Sequence, residues 1–89
     1  MGQIASTYDI MPEDTEVDLQ KVIETLPSVV PAGVEIKTTE IKPVAFGLMK
    51  VVAFLVIDDS DENVGSKLED ALRGIPGISE IACVDSTNL

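Results

Sequence analysis

Hydrophobic and polar positions along the chain mark six segments. Residues 3–11 alternate, with Ile4, Ser6, Tyr8 and Ile10 on one side and Ala5, Thr7, Asp9 and Met11 on the other, the two-residue period of a strand. Pro12 ends it. Leu19, Val22, Ile23 and Leu26 then recur at helical spacing. Either Asp14 or Thr15 is expected to cap this helix, Glu16 and Asp18 suit its positive end, and Pro27 is expected to close it because proline has no N–H for the ladder. After a turn at Pro31-Ala32-Gly33, Val34 to about Lys42 alternates again and carries β-branched side chains. Its apolar parity slips between Ile36 and Ile41, which predicts a bulge near Thr38-Thr39.

Pro43 to Gly47 reads as a connection, and from Leu48 the chain is nearly continuously apolar to Ile57, the mark of a strand in the middle of a sheet. Asp58 to Glu62 then offers a cap and first-turn negative charge to a second helix whose stripe is Val64, Leu68, Ala71, Leu72 and Ile75. Gly74 is expected to end that helix in the left-handed conformation, with Pro76 following. Ile78 to Asp85 alternates as a last strand. The order β-α-β-β-α-β is the ferredoxin-like split βαβ pattern of the α+β class. Right-handed crossovers give a four-stranded antiparallel sheet in the order 4-1-3-2, with both helices on one face and the first and third strands central. Residues 1–89 form one domain, since no repeat, linker or low-complexity tract divides them.

Composition narrows the function. The chain has 89 residues, 45% of them hydrophobic, enough for a packed core, and a net charge of −10. Such a surface repels phosphate backbones and anionic lipid, so direct nucleic-acid and membrane binding are not expected. With no His and one Cys, the Ser-His-Asp and Cys-His nucleophile schemes and the common structural zinc sites are excluded. The single Cys permits no internal disulfide, no signal-peptide leader opens the chain, and the apolar run Val51–Ile57 is far short of the roughly 20 residues that span a bilayer. A cytoplasmic protein, monomeric when free, is expected. Met1 to Ser6 fits the loose myristoylation pattern by chance, with no polybasic patch as second anchor.

Candidate chemistry is sparse. Asp59 to Asn63 begins like a calcium loop, but Val64 stands where the sharp-turn Gly is needed and Asp70 where the bidentate Glu is needed, so no metal is expected. Cys83 lies mid-strand among apolar neighbours and reads as a buried, inert thiol. No glycine-rich phosphate cradle occurs, and the aromatics are too few for an RNA-stacking surface, so neither a cofactor nor catalytic residues are expected. Phe46 differs. Between Ala45 and Gly47 at a tight corner, it either stands out as a contact or folds back over a helix end. The tail from Asp85 to Leu89 is small and polar and on pattern alone is frayed and inert.

Pro43-Val44-Ala45-Phe46-Gly47-Leu48-Met49-Lys50 resembles the Pro-Val-x-aromatic-Gly-aliphatic-x-Lys stretch of the exchange domain of translation elongation factor 1-beta. The similarity continues through the apolar strand into acidic residues, then Val64-Gly65, Leu68-Glu69-Asp70 and Ile81-Ala82-Cys83-Val84. It covers about Asp18 to Leu89, and a free-standing domain of this size is similar to the archaeal members. The resemblance implies guanine-nucleotide exchange on the GTPase elongation factor 1-alpha, an activity that needs no nucleophile or cofactor of its own. It implies that partner contacts lie at the Phe46 corner and at the tail, Asn88 and Leu89. Lys50 is either a contact to an acidic partner surface or a solvated strand-start charge. Eukaryotic relatives carry a Lys near the tail's end, where this chain has Asn88, so Asn88, Leu89 or a terminal carboxylate would have to serve in its place. The competing reading is an oligomeric regulatory domain that binds a small ligand between subunits.

Overall fold

The computed structural model describes residues 2–58 and 63–89. Its elements are β1 (Gln3–Pro12), α1 (Leu19–Val29), β2 (Val34–Ala45), β3 (Leu48–Asp58), α2 (Val64–Arg73) and β4 (Ile78–Asn88). The sheet runs β2-β3-β1-β4 with every neighbouring pair antiparallel, which is the expected ferredoxin-like order read from the other edge. The apolar Val51–Ile57 run lies in β3, one of the two interior strands.

One face of the sheet carries the core. Tyr8 and Ile10 of β1 and Val51, Ala53, Leu55 and Ile57 of β3 share a parity, and all pack with Val22 and Leu26 of α1 and Val64, Leu68 and Leu72 of α2. The opposite parity puts Asp9, Lys50, Val52 and Phe54 on the face the helices leave open. The expected bulge is present: the β2–β3 register shifts between Ile36 and Thr38, next to the predicted position, so that Ile36 and Ile41 both face the core side despite their odd spacing.

Several boundaries differ from the sequence reading: β2 runs on to Ala45, so that only Phe46 and Gly47 remain of the expected Pro43–Gly47 connection, and β4 runs past Asp85 to Asn88. Asp18, not Asp14 or Thr15, caps α1, its Oδ1 accepting from the amides of Gln20 and Lys21, while Asp14 closes a preceding turn by accepting from the Glu16 amide. Pro27 does not end α1 but sits inside it. The lost bond is offset because one more turn carries the fully buried Leu26 into Val29 and Val30, which pack against the core. Gly74 keeps a right-handed conformation, φ −79°, with its amide directed at the carbonyls of Asp70 and Ala71. Gly77 takes the left-handed role instead, φ 88°, because the reversal into β4 comes only after Ile75 has been buried. A Cβ at Gly77 would stand 3.1 Å from Val17. The acidic run at 59–62, expected to start α2, lies outside the described residues.

Candidate functional site

The two ends of the sheet differ in construction. At one end β2 and β3 are joined by Phe46 and Gly47 alone, with Ala45 opposite Leu48. Both turn residues have positive φ, 52° and 81°, the type I′ geometry whose twist matches a two-residue hairpin. Gly adopts it freely. Phe does not, and a side chain held in the left-handed region costs on the order of 1 kcal/mol. The Phe46 ring gains nothing from the protein in return, since it is fully exposed (104%), and beside it Val44 is also exposed. Phe46 therefore does not fold back over a helix end.

This hairpin stands clear of the sheet. Pairing of β1 with β3 stops at Ile10 opposite Val51, whereas β2 and β3 stay paired through Lys42–Lys50, Pro43–Met49 and Ala45–Leu48. Residues 42–50 thus form a two-stranded ribbon projecting from the four-stranded body. At its root the Lys50 ammonium lies 2.6 Å from the Asp9 carboxylate, a half-buried ion pair on the open face of the sheet. Lys50 is neither a solvated charge nor a free one. Asp9 and Val44 were not singled out from the sequence. The signal for Asp9 was available: it is the only charged residue in β1, as Lys50 is in β3 apart from the terminal Asp58, and the two share a sheet face.

The other end holds the tail. Asp85 to Asn88 are not frayed but extend β4 along the start of β1, with Asn88 opposite Ile4, and the Leu89 amide donates to the Gln3 carbonyl at 2.8 Å. Asn88 and Leu89 are exposed. Beside them on the β2 side, a shallow depression of about 300 Å³ is lined by Gln3, Gly33, Val34, Glu35, Val56 and Asp58. The β4–β1 register shifts between Thr7 and Tyr8, so Val84 bulges outward and is exposed. Cys83 is exposed as well, contrary to expectation, because β4 is an edge strand whose second half runs past the cover of the helices.

Between the ends, the Tyr8 hydroxyl donates to Glu69 of α2 at 3.1 Å. Burial first, then the hydrogen bond and charge of Glu69, with Cys83 adding to both, hold the Tyr8 pKa well above the ordinary tyrosine value. Among the described residues no group of His, Cys, Asp and Glu side chains is arranged to hold a metal ion, and no helix is long and apolar enough to cross a membrane. What the arrangement offers is two exposed ends, the Phe46 hairpin and the β4 tail, on opposite sides of one sheet.

Comparison with known proteins matches the EF-1 guanine nucleotide exchange domain over residues 5–89. The chain belongs to the elongation factor 1-beta family. It is similar to elongation factor 1-beta of Methanothermobacter thermautotrophicus, 32% identical over 89 residues that cover 100% of this chain and 99% of that one. It is 33% identical over 85 residues to the Archaeoglobus fulgidus protein, covering 96% of each. The Methanococcoides burtonii protein is 37% identical over 81 residues, 91% of this chain and 90% of that one. As a member of the family the chain is a guanine-nucleotide exchange factor for elongation factor 1-alpha in translation elongation, not an enzyme. The regulatory-domain alternative falls with that result.

Proposed function

We propose that the chain opens its GTPase by gripping it at both ends of the sheet, with the Phe46 hairpin holding one domain and Asn88 and Leu89 reaching toward the nucleotide's metal and phosphates in the other. The observation that carries the reading is Phe46 itself, a large aromatic held in a strained turn with its whole surface in water. Strain and apolar exposure together persist where a partner removes the ring from solvent. Nine residue steps of β3, at about 3.3 Å each, set the two ends about 30 Å apart, so the partner presents two separate surfaces.

Nucleotide in such GTPases is held by a phosphate loop and a magnesium ion bridging phosphate oxygens. A factor that binds the empty form more tightly than the loaded one weakens nucleotide binding by the same factor, and incoming nucleotide expels it in turn. On this reading Phe46 supplies affinity common to both forms and the tail supplies the discrimination. Asn88 is an amide where eukaryotic relatives place an ammonium, so it competes for oxygen ligands by hydrogen bonding rather than by charge. The factor acts as a cytoplasmic monomer without touching nucleic acid directly, in keeping with its net charge of −10.

Steady-state exchange kinetics test the division of labour. Phe46→Ala is expected to raise the half-saturating GTPase concentration by at least about tenfold, as loss of an interface anchor does, with little change in the maximal rate. Asn88→Ala is expected to lower the maximal rate with little change in half-saturation. Equal losses in both parameters for both variants would contradict the proposal.

A further inference from the structure

The ribbon that carries Phe46 has a weak point at its root. Beyond Val51 it is paired only with itself, and a two-stranded hairpin is marginally stable on its own. Lys42 and Lys50 face each other across it. Like charges directly opposite push strands apart, yet each lysine has its own carboxylate: Lys42 turns along β2 to Glu40 at 3.4 Å, and Lys50 turns across to Asp9 at 2.6 Å. The second bond differs from the first in reach. Asp9 belongs to the four-stranded body, opposite Val52, while Lys50 lies two residues further out, past the last residue paired with β1. It also differs in burial, with side-chain exposures of 25% and 13% against 54% and 51% for the Lys42–Glu40 pair, so solvent screens it less.

We propose that the Asp9–Lys50 ion pair is a clip that fixes the angle at which the ribbon presents Phe46, making both residues positioning residues for nucleotide exchange. The inference rests on the reading of Phe46 as the anchor. Lys50 acts through the hairpin and not by touching the GTPase. Leverage makes the clip matter: the tip lies about four residues beyond Lys50, so a tilt of about 10° at the root moves the Phe46 backbone by about 2 Å, more than a preorganised contact tolerates.

The test uses Lys50→Met, Asp9→Asn and the charge-reversed pair Asp9→Lys/Lys50→Asp, read by exchange kinetics and by amide hydrogen exchange of the free protein. Each single variant is expected to raise the half-saturating GTPase concentration by about fivefold and to speed hydrogen exchange at residues 42–50 by a similar factor, leaving the interior of β1 and β3 protected. The reversed pair is expected to restore both. Asp9→Asn decides between the clip and a direct contact. If Lys50 reached the GTPase itself, Asp9→Asn would release it and keep or improve exchange, and the reversed pair would stay as weak as Lys50→Met; either result overturns the proposal. Faster hydrogen exchange throughout the sheet would equally overturn it, as plain destabilisation. Phe46→Ala run alongside separates the two claims: full exchange by that variant contradicts the anchor, while loosening confined to the ribbon in the two single variants still supports the clip.

Discussion

Tyr8 is the only tyrosine in the chain and joins the sheet to α2 through Glu69. Its pKa in the folded protein is raised, so folding favours the protonated phenol. The stabilisation is complete below the unfolded value of about 10 and is lost as pH rises above it toward the folded value. Tyrosinate absorbance is therefore expected to stay absent well past pH 10 and then to appear together with loss of helical dichroism. Tyr8→Phe is expected to cost about 1 kcal/mol at neutral pH, one net hydrogen bond, and to flatten the stability profile above pH 10 relative to the parent. Phenol ionisation near pH 10 in a protein still fully folded would contradict this account of Tyr8.

At the scale of elements the β2–β3 hairpin trades stability for an exposed ring. Asn tolerates the left-handed region that Phe46 occupies, and Asn-Gly is the favoured pair for this turn. Phe46→Asn is expected to stabilise the protein by about 1 kcal/mol, or about 4–8 °C in melting temperature, while losing exchange to the same extent as Phe46→Ala. A melting temperature that stayed level or fell would show the turn to be unstrained. Such a turn was legible in the sequence as a corner, and so were the six elements, the bulge in β2 and the central place of β3, because each is written in local periodicity. Legibility failed where a distant segment decides. Pro27 stays helical because the turn beyond it brings Val29 and Val30 against the core, and the tail is a strand because the start of β1 lies beside it. Cys83 has an apolar sequence neighbourhood but sits on the half of the β4 edge strand that runs past the helices. Of the candidate site, Phe46 was visible from its own neighbours, whereas the Asp9–Lys50 bond joins residues 41 apart and needed the strand register.

The whole molecule is elongated, 42 × 21 × 17 Å, with the Phe46 hairpin and the β4 tail at opposite ends of the sheet. That shape suits the proposed grip, in which the factor works by relative affinity and holds two surfaces of its partner at a fixed spacing. Linkage then requires turnover, since the nucleotide that reloads the GTPase also releases the factor. The most direct test is the release of a fluorescent GDP analogue from elongation factor 1-alpha of the same organism, followed with the protein at substoichiometric amounts. The account predicts accelerated release in which each molecule of the factor discharges many GTPases. Release at the uncatalysed rate from a GTPase shown to be active, or acceleration that stops after one equivalent, would contradict it.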